Sequence, residues 1–167
     1  MELWEVLDDK GNPTGEIMEK YDNTVFDRGL YHLGNSENKI LIQKRSKNKK
    51  LEPNVWAMTG GSVIMGENSL EAIVRETKEE LGINVDSNKL KLITKFKTGN
   101  VWIDTYLLKD DYEISKMKFQ KEEVTDAKWA TYNEIDELVN KEMFIKHRWE
   151  FVSEILKKEI NNKKEKV

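Results

Sequence analysis

GGSVIMGENSLEAIVRETKEELGI, residues 60–83, is the stretch of this chain in which spacing, charge and periodicity converge. Five residues lie between Gly61 and Glu67, seven lie between Glu67 and Arg75, and the run RETKEELGI follows without a gap. A lone E-x-x-E-E triplet is common on ordinary solvated helices. The joint occurrence of glycine, acidic and basic residues at these offsets is much rarer, and it predicts a functional site.

The second half of this stretch predicts an amphipathic helix. Asn68 is a favourable N-cap, and Glu71 lies three residues later, where its side chain can complete a capping box. Gly82 ends the helix. At about 100° per residue, the apolar residues form one face that must contact a core. This face consists of Leu70, Ile73, Val74, Thr77 and Leu81.

Three carboxylates, Glu76, Glu79 and Glu80, fall on another arc of the same helix, because residues three and four apart are neighbours on its surface. Their like charges repel. Mg²⁺ would relieve the repulsion, since it prefers oxygen ligands and often binds carboxylates together with phosphate oxygens. Arg75 can pair along the helix with Glu71 or Glu79 and so hold a carboxylate in one rotamer. The pattern therefore indicates a metal site on the helix.

The same residues resemble the signature of the Nudix hydrolases, G-x5-E-x7-R-E-U-x-E-E-x-G-U, in which U is aliphatic. Thr77, at an aliphatic position, is the one departure, and it affects packing rather than chemistry. The resemblance implies an α/β fold, an α/β/α sandwich with a mixed β-sheet, and a hydrolase that uses Mg²⁺ with Mn²⁺ as a substitute. It also implies that the main-chain carbonyl of Gly60 joins Glu76, Glu79 and Glu80 as a metal ligand.

Length and composition bound the remaining possibilities. A chain of 167 residues is of single-domain size, so we expect one domain over 1–167. The net charge of -3 argues against nucleic-acid and anionic-membrane binders, and the absence of cysteine excludes disulfides, thiolate zinc sites and cysteine nucleophiles. We find neither a signal peptide nor an apolar stretch that could span a bilayer. We expect a cytoplasmic protein that binds a small-molecule diphosphate, for which a homodimer is possible.

Residues 1–25 predict an N-terminal hairpin extension, because LWEVLD alternates apolar and polar residues and a turn cluster follows. FDRGLYH (26–32) and LIQKRSKNKK (41–50) resemble the Nudix branch that contains isopentenyl diphosphate isomerase. That branch carries an apolar strand before the one at Ile40, whereas only LGNSENK precedes Ile40 here. Either this strand is shortened to 30–33, or one sheet edge is built differently.

A basic loop follows the strand predicted at Ile40, with Arg45 at the strand end and Lys47, Lys49 and Lys50 beyond it. Individually these lysines are typical of a solvated loop. As a group beside a diphosphate they would raise the local substrate concentration and offset phosphate charge. Arg45 is therefore a candidate substrate-binding residue.

After the helix, residues 89–98 and 101–109 predict a hairpin that turns at a Gly-Asn pair. On its second strand Tyr106 is a candidate for stacking on a substrate base, with simple burial as the alternative. Asp104 is expected to be an exposed strand carboxylate, with a substrate contact as the alternative.

Nudix hydrolases often supply a further carboxylate from a loop after the signature. Glu123 matches that position, and Glu122 is the alternative. A short strand at 127–130 and two C-terminal helices over 133–160 are expected next, the first of them capped by Asn133.

The expected reaction is Mg²⁺-dependent hydrolysis of a diphosphate bond in a nucleoside diphosphate derivative or related organic diphosphate. Glu76 or Glu123 would accept the proton, and Arg75 would fix a carboxylate. Two alternatives are an isopentenyl diphosphate isomerase-like enzyme and a non-catalytic nucleotide-sensing module. The isomerase family needs an acid-base cysteine, which this chain lacks. Sensing modules usually have eroded carboxylates, whereas all are present here.

Overall fold

The computed structural model of the chain describes residues 2–19, 26–34 and 37–161. The described residues contain nine strands and three α-helices. In chain order they are β1 (Leu3–Leu7), β2 (Pro13–Glu19), β3 (Phe26–Gly34), β4 (Ile40–Arg45), β5 (Trp56–Ala57), β6 (Gly60–Ser62), α1 (Ser69–Leu81), β7 (Lys91–Thr98), β8 (Val101–Lys109), β9 (Val124–Ala130), α2 (Tyr132–Asn140) and α3 (Lys146–Asn161).

The chain forms two compact units. Unit 1 comprises Met1–His32 and Thr59–Leu108, and unit 2 comprises Leu33–Met58 and Lys109–Val167. β3 therefore contributes residues to both. This strand is longer than the shortened version expected at 30–33, and Gly34 pairs with Ile40 at the start of β4.

In unit 1, the predicted N-terminal hairpin is present within the described residues, as the antiparallel pair β1 and β2. Its inward side chains, Trp4, Leu7 and Met18, are buried. Two side chains of β7 and β8 tie its turn down: Trp102 Nε1 donates to the Asp8 carbonyl at 3.4 Å, and Lys97 Nζ lies 3.2 Å from the Asp9 carboxylate. The hairpin is thus fastened to the rest of unit 1.

The remaining strands of unit 1 carry the loop that precedes α1. β6 pairs with β3 in antiparallel register, with Gly61 opposite Gly29, and β7 pairs with β8. From Ile103 to Leu108 every residue of β8 is buried, so both faces of this strand are covered. The loop after β6 is held from outside as well, because the Met65 amide donates to the Leu3 carbonyl at 2.9 Å.

Helix α1 begins and ends at the predicted residues. The Asn68 side chain accepts from the Glu71 amide, and the Glu71 carboxylate accepts from the Asn68 amide, both at 2.9 Å. Gly82 ends the helix in the left-handed conformation, with φ of 70°, where glycine is favoured. The buried face differs in part from the predicted stripe. It consists of Ser69, Ala72, Ile73, Thr77, Glu80 and Leu81, with Leu70 and Val74 half-buried.

In unit 2, β4 lies between β5 and β9 and pairs with both in antiparallel register. Residues 40–43 are all buried, as expected for a central strand. The first C-terminal helix, α2, is capped by Thr131, whereas the sequence predicted Asn133 as the cap. Thr131 is the N-cap because Glu134, three residues later, completes a capping box with it.

The α/β fold class is confirmed, and the strand pairings whose registers are described between named strands are antiparallel. Among the described residues, no helix is both long enough and apolar enough to cross a membrane.

Candidate active site

Arg75, in the middle of α1, is the centre of a group of polar contacts that join the helix to the loop before it. Its guanidinium grips Glu67 through two hydrogen bonds, Nε to Oε2 at 3.0 Å and Nη2 to Oε1 at 2.6 Å. It also donates to the Ser62 carbonyl at 3.0 Å. The hydrogen bonds to Glu67 raise the pKa of Arg75 above its ordinary value, against the opposing effect of burial. Two-pronged binding of this kind fixes both position and orientation.

Glu67 is therefore the main partner of Arg75. Helical spacing had predicted Glu71 or Glu79 in this role. Glu71 is used for capping instead, while Glu79 Oε2 does lie 3.3 Å from Arg75 Nη1. Glu67 also accepts from the Ile64 amide at 2.9 Å, so it closes the loop before the helix. Glu67 precedes the helix, and helical spacing carries no signal for this pair.

Glu76 lies against the glycine-rich strand β6. Arg75 Nη1 donates to Glu76 Oε1 at 3.0 Å, and only 16% of the Glu76 side chain is exposed. A β-carbon at Gly61 would come within 2.2 Å of its carboxylate. Burial raises the pKa of Glu76, Arg75 partly opposes the shift, and the charges of Glu79 and Glu2 add to it. Glu2, on the N-terminal hairpin, was missed by sequence analysis, and nothing in the sequence signals it.

The other predicted metal ligands differ in their environments. Glu79 is half exposed, whereas Glu80 is buried on the inner face of α1. Gly60 lies in β6, opposite Leu30 of β3. Among the described residues, no group of three or more acidic or histidine side chains is gathered closely enough to hold a metal ion.

The chemistry of the donor set nevertheless fits a hard divalent cation. Carboxylates of one helix and a main-chain carbonyl are the oxygen ligands such a cation takes. The space that a β-carbon at Gly61 would fill is what lets the Glu76 carboxylate approach the main chain. Arg75 contacts both Glu76 and Glu79, so a cation held by these two carboxylates would share them with the guanidinium.

In unit 2, the predicted carboxylate Glu123 forms an ion pair with Lys49 of the basic loop. Both side chains are about one-third exposed or less. The loop is attached to this segment a second time, because the Ser46 amide donates to the Glu123 carbonyl at 2.9 Å. The basic loop and the segment before β9 thus form one local structure.

Arg45 is engaged by its own loop. Its Nε donates to the Glu52 carbonyl at 3.0 Å, and its Nη2 donates to the Leu51 carbonyl at 2.9 Å. These bonds shape the turn, so substrate binding by Arg45 stays a prediction. In the same unit, Trp56 is buried, with Lys128 Nζ 4.5 Å from its ring centre.

Tyr106 and Asp104 are both buried in unit 1. The expectation of an exposed Asp104 was wrong: 4% of the residue is exposed, because the N-terminus of α1 packs against this face of β8. Ser69 Oγ donates to Asp104 Oδ2 at 2.6 Å and lies 2.7 Å from the Tyr106 hydroxyl. Stacking of Tyr106 on a substrate base stays a prediction.

Comparison with known sequences gives a consistent result. The family model described as NUDIX domain matches residues 27–155. An uncharacterised Nudix hydrolase of Listeria monocytogenes is 34% identical over 154 residues, which cover 87% of this chain and 89% of that protein. Isopentenyl-diphosphate Delta-isomerases match more distantly, over about half of the chain. The predicted resemblance to both groups is thereby confirmed.

Comparison with solved structures supports the fold. The crystal structure of DR0079 from Deinococcus radiodurans superposes with a TM-score of 0.75 at 21% identity, over 94% of this chain and 98% of that one. A bifunctional NMN adenylyltransferase/ADP ribose pyrophosphatase from Francisella tularensis, complexed with AMP and a Mn ion, has a TM-score of 0.65 at 19% identity. That match covers 84% of this chain and 43% of the other.

Proposed function

This chain belongs to the Nudix family of hydrolases, and from that membership we propose that it hydrolyses the diphosphate bond of a nucleoside diphosphate derivative or a related organic diphosphate. The observation that carries the proposal is the Arg75 network, in which one guanidinium binds Glu67 and contacts Glu76 and Glu79. Such a network sets the rotamers of several carboxylates at once. We also propose that residues 1–167 act as a single domain, because β3 belongs to both units.

Nudix hydrolases generally use a divalent metal ion. We propose Mg²⁺ for this chain, with Mn²⁺ as a substitute, held by Glu76, Glu79, Glu80 and the Gly60 carbonyl. When bound, the cation offsets charge on the diphosphate oxygens and lowers the pKa of a bound water. The bound cation and the carboxylates of α1 together then determine the net charge that faces the substrate.

The protein's own groups would do the remaining work. Water oxygen forms a bond to phosphorus, the bridging P–O bond breaks, and a water proton passes to a carboxylate. We propose Glu76 as the proton acceptor, because burial raises its pKa and Arg75 fixes its position. Glu123 in unit 2 is the alternative acceptor, and it would have to leave its ion pair with Lys49 to take the proton.

The test is a panel assay with ADP-ribose, a nucleoside diphosphate sugar, a dinucleoside polyphosphate and isopentenyl diphosphate. The products are followed by chromatography. We expect Mg²⁺-dependent cleavage of at least one of these substrates and loss of cleavage when a chelator is added. Glu76→Gln and Glu123→Gln, assayed on the cleaved substrate, identify the acceptor as the variant whose rate no longer rises with pH.

Two outcomes would contradict the proposal. Tight calorimetric binding of a panel member without cleavage in either Mg²⁺ or Mn²⁺ would indicate a sensing module. Conversion of isopentenyl diphosphate to its allylic isomer would indicate an isomerase, although the chain has no cysteine to serve as its acid-base group.

A further inference from the structure

A buried chain of three polar side chains joins β8 to the first turn of α1. Ser69 Oγ lies 2.6 Å from Asp104 Oδ2 and 2.7 Å from the Tyr106 hydroxyl. All three residues are at most 8% exposed. They belong to unit 1, and the three contacting atoms form a continuous path from one strand to one helix.

The direction of the hydrogen bonds follows from the number of protons. Ser69 donates its single hydroxyl proton to Asp104. The bond between Ser69 and Tyr106 must then be donated by the Tyr106 hydroxyl. Ser69 is consequently held from both sides, as a donor towards one residue of β8 and as an acceptor from another. A hydroxyl bound in this way has little freedom to rotate.

This arrangement is an expensive way to join a helix to a sheet. Moving a carboxylate out of water is unfavourable, and apolar side chains of similar volume often serve stability as well or better. Part of that cost is offset by Ser69, by the N-terminal end of α1, and by Lys95 Nζ at 3.7 Å from Asp104 Oδ1. Asp104 Oδ1 itself has no hydrogen-bond partner. Stability alone is thus a poor reason for the cluster, and a fixed geometry is a better one.

The position of Ser69 says which geometry is fixed. Ser69 is the first residue of α1, and two residues before it Glu67 takes the two-pronged grip of Arg75. Glu76 is seven residues further along the helix, which at 1.5 Å per residue is about 10 Å. Because a helix moves as a rigid body over two turns, a shift or rotation at Ser69 is carried to Glu76.

We propose that Ser69, Asp104 and Tyr106 are positioning residues, which set the placement of the α1 carboxylates by fixing the first turn of the helix to β8. This inference rests on the proposed function. It assigns no contact with substrate to Tyr106. It predicts that removing one hydroxyl from the cluster disturbs metal binding and turnover at a distance.

The experiment compares Ser69→Ala and Tyr106→Phe with a matched control, Thr77→Val. Thr77 is on the same helix and equally buried, but its hydroxyl donates at 2.7 Å to the Ile73 carbonyl within the helix. All three variants lose one buried hydroxyl. Tyr106→Phe keeps the ring and protects the test if Ser69→Ala folds poorly.

We expect Ser69→Ala and Tyr106→Phe to lower kcat about 10-fold or more and to raise the Mg²⁺ activation constant, the size typical of residues that support a metal site. KM at saturating Mg²⁺ should change little. Thr77→Val should lower the melting temperature about as much as Ser69→Ala and Tyr106→Phe do. It should leave kcat and the Mg²⁺ activation constant unchanged. Equal behaviour of all three variants in kcat and metal dependence would overturn the inference.

A second measurement separates this inference from the proposed function. Mn²⁺ affinity is determined by titration calorimetry without any substrate, for the wild type and the same three variants. If the wild type binds Mn²⁺ but cleaves no diphosphate, the proposed function fails, and weaker Mn²⁺ binding by Ser69→Ala and Tyr106→Phe alone still supports positioning. A wild type that neither cleaves diphosphates nor binds Mn²⁺ would overturn both.

Discussion

Gly61 and Glu76 occupy adjoining space: a β-carbon at Gly61 would lie 2.2 Å from the carboxyl carbon of Glu76. Gly61 lies outside the left-handed region of backbone conformation, so the requirement for glycine here concerns room and not backbone freedom. Glu76 is already held by Arg75 and is largely buried, so it has few directions in which to move.

Gly61→Ala should therefore displace the Glu76 carboxylate while preserving the fold. We expect turnover to fall by about 100-fold, since displacement by roughly 1 Å has effects of that size. We expect a loss of stability of about 1–3 kcal/mol from overpacking. The control is the same substitution in a Glu76→Ala background, where the stability loss should disappear. An equal loss in both backgrounds would show that Gly61 does not act through Glu76.

Glu79→Gln should abolish turnover with little change in stability, because the side chain is half exposed and its charge is proposed to serve the metal. The free energy of unfolding should change by no more than about 0.5 kcal/mol. Glu150→Gln is the matched control, since Glu150 is also exposed and pairs with a basic residue four positions away, Lys146. Glu80→Gln should abolish turnover as well. A near-wild-type rate for Glu79→Gln at saturating Mg²⁺ would refute the metal assignment.

Arg75→Gln should lower the rate about 10- to 100-fold and weaken Mg²⁺ affinity, because Arg75 supports carboxylates rather than substrate. It should also cost about 1–3 kcal/mol of stability, since Glu67 loses both guanidinium bonds while still largely buried. Arg75→Lys should restore little, because an ammonium cannot reproduce the planar two-pronged grip. An increase in KM alone, with turnover and metal affinity unchanged, would identify Arg75 as a phosphate contact.

Asn68→Ala and Thr131→Ala each remove an N-cap that belongs to a capping box, the first on α1 and the second on α2. Both should cost about 1 kcal/mol of stability, measured by denaturant unfolding. Only Asn68→Ala should also reduce turnover and Mg²⁺ affinity, because α1 carries the proposed ligands. Loss of activity in both variants, in proportion to stability, would mean that capping affects the enzyme only through folding.

Features that depend on neighbouring residues could be read from the sequence. The caps of α1, Asn68 and Gly82, are local chemistry, and they were predicted correctly. The hairpins on either side of the helix were found from alternation and turn residues. The missed cap of α2 is also local: Thr131 and Asn133 are both favourable cap types, and the position of Glu134 decides between them.

Features that depend on how distant segments pack against one another could not be read from the sequence. The pairing of Arg75 with Glu67 requires the path of the loop before α1, which helical periodicity does not describe. The burial of Asp104 was mispredicted because β8 is covered on both faces, and alternation can distinguish inside from outside only when one face meets water. Glu2 influences Glu76 only because the hairpin folds back, which neither residue signals.

The hydrogen bond from the Met65 amide to the Leu3 carbonyl fastens the loop before α1 to a strand that precedes the matched NUDIX segment, 27–155. A fragment cut at residue 27 would keep the whole signature and lose the partner of this amide. In heavy water, the Met65 amide should exchange slowly while the hairpin is docked and quickly in such a fragment. The exchange rate of the Met65 amide proton thus reports whether the N-terminal hairpin, which lies outside the matched segment, stabilises the loop within that segment.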